Sequence, residues 1–167
     1  MKLEHRTVRV LGNPSAWLPL AILALAGCSD RAEEALAARA AALPEPADAC
    51  EANIRPRALE GAVGMSPEET LRGELAQGAT SEHMLILRRG ACYRIFADAP
   101  DGVTDVDLLL YSPEGVLLQR AASGSASPAL GLERPVCPSG VSGSYRLSVH
   151  MNAGAGAYCV QVWTSGI

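Results

Sequence analysis

The sequence predicts an all-β fold, an antiparallel β-sandwich, for the C-terminal part of the chain. After Thr80 the apolar residues recur with a period of two, most clearly where Tyr145, Leu147 and Val149 alternate with polar residues. Turn-forming residues separate the apolar segments, as in the Ser-Pro-Glu-Gly run at 112–115. Roughly six or seven short strands at such spacing are typical of a β-sandwich.

The candidate strands follow one another along this part of the chain. They are HMLIL at 83–87, CYRIFA at 92–97, DLLLY at 107–111, VLLQR at 116–120, YRLSVH at 145–150 and AYCVQVW at 157–163. The strand at 107–111 is apolar on both faces, which predicts a central position in a sheet covered on both sides. The run at 112–115 fits a type I turn and predicts a hairpin between 107–111 and 116–120.

The segment from Ser66 to Leu75 carries two conflicting signals. Ser66, Pro67 and the following glutamates resemble the start of a helix. Leu71, Gly73 and Leu75 alternate as they would in a strand. Because the residues that follow have a period of two, we expect a strand, and we place the sandwich domain at residues 70–167.

Residues 28–69 are expected to form a spacer in front of this domain. The alanine-rich stretch 29–43 predicts a short helix that prolines 44 and 46 end. Residues 45–67 contain prolines and glycines without a period, which predicts a linker.

Residues 1–27 have the pattern of a secretory signal peptide. Lys2, Arg6 and Arg9 precede an apolar run at 16–26, which is about half of the ~20 residues that a membrane-spanning helix needs. The run ends in Leu25-Ala26-Gly27-Cys28. An ordinary secreted protein and an uncleaved membrane helix are the alternatives.

The tetrapeptide Leu25-Ala26-Gly27-Cys28 resembles the lipobox of bacterial lipoproteins. The resemblance implies that Cys28 carries lipid and becomes the first residue of the mature chain, and stable attachment takes about two acyl chains. In such proteins Ser29 after the cysteine favours the outer membrane over the inner one.

Charge and cysteine content limit the function classes. The full chain has a formal net charge of −4, and removal of residues 1–27 makes it more acidic, so no electrostatic footprint for nucleic acid exists. Apart from Cys28, four cysteines remain, an even number that predicts two disulfides in an oxidising compartment. Their spacing leaves three pairings open. It does not fit a zinc site. The four are Cys50, Cys92, Cys137 and Cys159.

Asp105 and Asp107 are the strongest candidates for a ligand site. Two carboxylates two residues apart on a strand face the same side and, with Asp98 or Asp101, could hold calcium. An aspartate at the start of a strand more often accepts hydrogen bonds from the backbone, and we expect this structural role. No metal ligands and no cofactor are therefore predicted.

No group of residues predicts catalysis. The serine-rich run 123–127 lacks the Gly-x-Ser-x-Gly pattern of a nucleophilic serine, and His83 and His150 are isolated in the sequence. Trp163 is expected to cover an edge of the sandwich, with an exposed ligand-stacking role as the alternative. We predict that the protein is not an enzyme.

Four segments together resemble the bacterial pre-peptidase C-terminal domain. They are Gly-Ala-Cys-Tyr at 90–93, Asp-Val-Asp-Leu-Leu-Leu-Tyr-Ser-Pro-Glu-Gly at 105–115, Gly-Ser-Tyr-Arg-Leu-Ser-Val at 143–149 and Gly-Ala-Tyr at 156–158. The resemblance implies a jelly-roll-like sandwich without catalytic activity. It also implies disulfides between Cys92 and Cys137 and between Cys50 and Cys159.

The sequence therefore predicts a non-catalytic envelope lipoprotein whose β-sandwich serves binding, display or assembly. The expected partners are the membrane, through lipid on Cys28, and an envelope protein or an extracellular polymer. The alternative is a small exported hydrolase or protease inhibitor on the same scaffold.

Overall fold

The computed structural model describes residues 27–100, 102–140 and 142–166, with side chains from residue 31 onward. Residues 1–26 of the predicted signal peptide, including Leu25 and Ala26, lie outside the described residues, and so does the side chain of Cys28. Helix α1 (Gly27–Ala42) confirms the helix predicted at 29–43. Within the described residues, no helix combines the length and the apolar character that crossing a membrane requires.

One further helix and eight strands complete the described part of the chain. They are α2 (Ala49–Gly61), β1 (Ser66–Leu75), β2 (Thr80–Leu87), β3 (Tyr93–Asp98), β4 (Asp105–Tyr111), β5 (Leu117–Ala121), β6 (Ala129–Leu130), β7 (Gly143–Ala153) and β8 (Gly156–Thr164).

The strands form two antiparallel four-stranded sheets. One sheet has the order β1-β8-β3-β6 and the other has the order β2-β7-β4-β5. This distribution of consecutive strands between two sheets is that of an eight-stranded jelly roll. The predicted jelly-roll-like, all-β sandwich is therefore confirmed.

The main core lies between the sheets and follows from the period of two. On β4 the side chains of Val106, Leu108 and Leu110 are completely buried. On β8 Tyr158 and Val160 point into the same core, whereas their neighbours in sequence point to the outside of the sandwich. A shift of register by one residue would exchange these two sets, so burial holds the register in place.

The hairpin predicted from 107–111 to 116–120 is confirmed. β4 lies between β7 and β5, which is the predicted central position. The prediction that its sheet is covered on both sides was wrong, because helix α2 packs on the other sheet. At the turn Ser112 N–H donates to Val116 O at 2.8 Å, and Gly115 has φ +83°, a conformation that glycine adopts without a steric cost.

The segment 66–75 is strand β1, as the wider pattern predicted, and the competing helix signal was misleading. Pairing with β8 extends from Leu75 back to Ser66, which lies opposite Thr164. The sandwich therefore begins at Ser66, four residues before the predicted boundary. Nine residues paired with β8 stabilise the strand more than a local helix start could.

Gly73 is the position in β1 where a side chain has no room. A Cβ atom there would lie 2.5 Å from Oη of Tyr158, the residue opposite, and Tyr158 is buried in the core. We expect Gly73→Ala to lower the free energy of unfolding by about 1–3 kcal/mol through overpacking. Urea denaturation measures this loss. Gly140→Ala is the control, since a Cβ there meets no atom within 4 Å. Equal losses in both variants would contradict the prediction.

The prediction of a linker at 45–67 was wrong, because α2 occupies 49–61. Asp48 caps the helix by accepting a hydrogen bond from Glu51 N–H at 2.9 Å, which lowers the pKa of its carboxyl group. The buried residues Cys50, Ile54 and Ala58 recur every four positions. Pro56 obscured this pattern in the sequence. Pro56 is tolerated because the sandwich supports the helix from outside.

Candidate binding face

Helix α2 covers the outer face of the sheet β1-β8-β3-β6, called the covered sheet below. Ile54 and Ala58 pack on Phe96 of β3 and Trp163 of β8, and they form a second apolar cluster outside the main core. Trp163 is only 1% exposed, and its indole N–H donates to Gln161 Oε1 at 3.1 Å. The alternative of an exposed, ligand-stacking Trp163 was therefore wrong.

Two disulfides hold the sandwich and its helix together. Cys50 of α2 is bonded to Cys159 of β8, and Cys92 is bonded to Cys137. This is the connectivity that the resemblance to the pre-peptidase C-terminal domain implied. The Cys50–Cys159 bond spans 109 residues of sequence and ties α2 directly to the covered sheet.

Asp98, which the sequence suggested only as an additional calcium ligand, holds α2 in place. Asp98, at the end of β3, is only 6% exposed. Its carboxylate accepts hydrogen bonds from Asn53 of α2 at 3.0 Å and from Ser127 Oγ at 2.5 Å, and it forms an ion pair with Arg57 at 3.8 Å. Arg57 also donates to Ala97 O. The approach of α2 to the sheet is thus set by directional polar contacts as well as by apolar packing.

Two arginines join α1 to α2 by satisfying the carbonyl groups at the helix ends. Arg39 of α1 donates to Leu59 O at 2.6 Å and to Ala62 O at 2.8 Å, at the end of α2. Arg55 of α2 donates in return to Leu43 O at 3.2 Å, at the end of α1. A cationic side chain at a helix C-terminus stabilises the helix, because it donates hydrogen bonds to the last carbonyl groups and interacts favourably with the negative end of the helix dipole. The layers therefore run from α1 through α2 and the covered sheet to the second sheet.

The sheet β2-β7-β4-β5, called the open sheet below, carries neither helix on its outer face. Met84 and Ile86 of β2 are 58% and 63% exposed there. Arg146 of β7 lies over the ring of Tyr111 at 4.1 Å and forms an ion pair with Glu82. At the opposite edge of the sheet, in and just before β5, three further apolar residues are exposed, namely Val116, Leu117 and Leu118. The outer face of the open sheet thus combines apolar and charged groups.

The two aspartates of β4 lie apart from Asp98, which belongs to the other sheet. The carboxylate of Asp107 accepts a hydrogen bond from the Arg120 side chain at 2.8 Å and, among the described residues, not from backbone N–H groups as the sequence predicted. Asp105 Oδ1 is buried without a hydrogen-bond partner in the described part of the chain. Asp101 lies outside the described residues. Among the described residues, no three or more histidine, cysteine, aspartate or glutamate side chains group as metal ligands would.

The histidines lie on the open sheet and contact hydroxyl groups. His83 Nε2 lies 2.8 Å from Tyr158 Oη and 3.4 Å from Ser81 Oγ, and His150 Nδ1 lies 2.8 Å from Thr80 Oγ1. In residues 27–100, 102–140 and 142–166 neither ring shares a hydrogen bond with a carboxylate. The orienting acid of a serine–histidine–acid triad is therefore missing at both rings.

We expect His83 to make the free energy of unfolding depend on pH. Burial lowers the pKa of His83 from its ordinary value of 6.5, and the Glu69 carboxylate opposes this shift. When the pH falls below this ordinary value, the unfolded chain binds a proton at His83 while the folded protein does not. The free energy of unfolding therefore decreases as the pH falls through the lowered pKa of the folded protein. We expect His83→Gln to flatten the loss of stability between about pH 7 and pH 5. Urea denaturation across this range tests the prediction, and an unchanged slope would contradict it.

Comparisons with known proteins assign no family. No family model matches the chain, and no curated protein matches it. Among solved structures, the crystal structure of Aeromonas hydrophila PliG, a periplasmic lysozyme inhibitor of g-type lysozyme, is similar over 57% of this chain and 84% of that chain. The sequence identity is 11% and the TM-score is 0.42. A likeness this distant assigns no function.

Proposed function

We propose that this chain is a lipid-anchored, non-catalytic protein of the cell envelope whose open sheet binds a partner. The supporting observation is the asymmetry of the sandwich. One sheet is buried under α2, with a disulfide and the Asp98 contacts holding the helix in place. The other sheet exposes apolar side chains beside arginines on its outer face. Exposed apolar groups within a polar surround are typical of interaction surfaces.

The order of the layers supports a binding face that points away from the membrane. Cys28, the residue proposed to carry lipid, precedes the main part of α1. Helix α1 lies on α2, on the opposite side of the sandwich from the open sheet. An acylated Cys28 would therefore hold the helices next to the bilayer and leave the open sheet accessible. Ser29 favours the outer membrane as the place of attachment.

A binding role fits the polar groups of the open sheet better than hydrolysis does. His83 and His150 contact hydroxyl groups, and no carboxylate orients either ring in the described part of the chain. A hydrolase would need such an acid and a nucleophile beside it. A protease inhibitor is one kind of binding protein, so the experiments below detect it as well.

The anchor is tested by acylation in cells. Wild-type protein and Cys28→Ser are expressed with a clickable palmitate analogue, and the membrane and soluble fractions are separated. We expect label and membrane association for wild type, and neither for Cys28→Ser. A wild-type protein without label, or a mature N-terminus elsewhere than Cys28, would refute the anchoring.

The binding face is tested by photo-crosslinking from two exposed apolar positions. A photoreactive amino acid replaces Leu118 on the open sheet or, as the matched control, Val63 after α2, and these residues are 45% and 72% exposed. Illumination of intact cells should give a discrete adduct from position 118 and none from position 63. Adducts from position 63 alone, or from neither position, would refute the assignment of the binding face.

A further inference from the structure

The four edge strands of the sandwich differ in how well they are protected against pairing with another strand. The covered sheet ends in β1, where Pro67 and a register shift interrupt the edge, and in β6, which has only two residues. The open sheet ends in β5, which also has a register shift, and in β2. Prolines, bulges and short length are the usual protection of edges. β2 has none of these three, and its carboxylate at Glu82 is paired with Arg146 of the neighbouring strand.

The free edge of β2 is long, regular and partly apolar. Its eight residues pair with β7 without a shift in register, and within the described residues β7 is its sole partner strand. Leu85 and Leu87 point into the core, whereas Met84 and Ile86 are exposed beside the edge. A regular edge of this kind presents unpaired N–H and C=O groups to an incoming strand.

A cleft runs along this edge. It has a volume of about 360 Å³ and is lined by the consecutive residues 84–88 of β2 and its end, by Glu68 and Glu69 of β1, and at its base by the buried residues Tyr93 and Val162. Because five consecutive residues form one wall, the cleft follows the backbone of the strand. An extended chain laid along β2 would therefore run beside these residues.

The charge at the cleft indicates what an incoming strand must carry. Arg88 neutralises Glu68 at 3.1 Å. Glu69 forms no ion pair with any residue that the structure describes. A lysine or arginine on the incoming strand would match this carboxylate.

The same charge disfavours a second copy of this chain as the occupant. Antiparallel pairing of two β2 strands around a two-fold axis near Leu85 would bring the Glu69 carboxylates of both copies to the same part of the interface. Two like charges there would oppose association. An extended segment of another protein avoids this repulsion when it carries a basic residue.

We propose that the β2 edge binds an extended peptide segment as a ninth strand, with alternating apolar residues on Met84 and Ile86 and a basic residue facing Glu69. This inference rests on the proposed function and deepens it, because it names the part of the open sheet that binds and the class of partner. Main-chain hydrogen bonds to β2 supply affinity, and the side chains supply specificity.

A random octapeptide display library is the probe. Selection on the full-length, disulfide-bonded protein in detergent should enrich peptides that alternate apolar residues and contain lysine or arginine. Ile86→Lys should weaken binding of an enriched peptide by about tenfold or more, and Glu69→Gln by about three- to tenfold. Val63→Lys, at an exposed apolar position after α2 and outside the open sheet, is the matched control and should leave affinity unchanged.

Hydrogen exchange separates strand addition from other contacts. Peptide binding should slow exchange of the outward-facing amides of β2 and leave those of β5 unchanged. Enriched peptides without a basic residue, binding that survives Ile86→Lys, or self-association of the free protein through β2 would overturn the inference. An adduct from position 118 in the crosslinking experiment would then still support the open sheet as the binding face.

Discussion

Replacing Cys50 and Cys159 together with alanine is expected to lower the free energy of unfolding by about 3–5 kcal/mol. The bond closes a stretch of 109 residues, so its removal releases much conformational entropy in the unfolded chain. It also removes the covalent link between α2 and the covered sheet. Urea denaturation under non-reducing conditions measures the loss, and a loss below about 1 kcal/mol would contradict this prediction.

The paired variant Cys92→Ala with Cys137→Ala is the control for position. That bond closes a shorter stretch of 45 residues and does not involve α2. Trp163 reports on the difference, because it is the one tryptophan after the predicted cleavage site and lies under α2. We expect its fluorescence to shift at lower urea concentrations when Cys50 and Cys159 are replaced. In the control variant the shift should coincide with global unfolding.

Asp98→Ala is expected to lower the free energy of unfolding by about 2–4 kcal/mol. The substitution leaves Asn53, Ser127 and Arg57 without the carboxylate that they share. This expected loss is smaller than the loss from breaking a fully buried ion pair, because the Arg57 side chain is 34% exposed.

Asp107→Ala is the matched control for Asp98→Ala. Asp107 is buried to a similar degree, but its partner Arg120 is 56% exposed, so water can replace the lost ion pair. We expect a loss of about 1 kcal/mol or less in this variant. Urea denaturation with circular dichroism compares the two. Equal losses would mean that the contacts of Asp98 do not hold α2 in place.

The strands were predictable because their signals are local. In β7 the alternation of Tyr145, Leu147 and Val149 specifies which face is buried, and all three side chains point into the core. At 112–115 the residue types specify the turn. In β1, by contrast, the local signals conflicted, and its long pairing with β8 decided for a strand.

Helix α2 was missed because its stability depends on contacts that lie far away in sequence. The capping pair Asp48 and Glu51 was present in the sequence, but Pro56 and a small apolar face argued against a helix. The helix gains its packing from Phe96 and Trp163, which lie on strands at least 35 residues later in the chain. The Asp98 contacts were missed for the same reason, since Asn53 and Ser127 flank it from distant segments.

By itself the sequence determined the sandwich, the net negative charge, and the even number of cysteines after Cys28. These properties depend on composition or on the backbone period of two, which short segments express alone. Only the tertiary structure decided that one sheet is covered and the other is open, and that β2 has a free edge beside Glu69. Which sheet a helix covers and which strand lies at an edge depend on contacts between segments that are distant in sequence, and a local pattern does not contain that information.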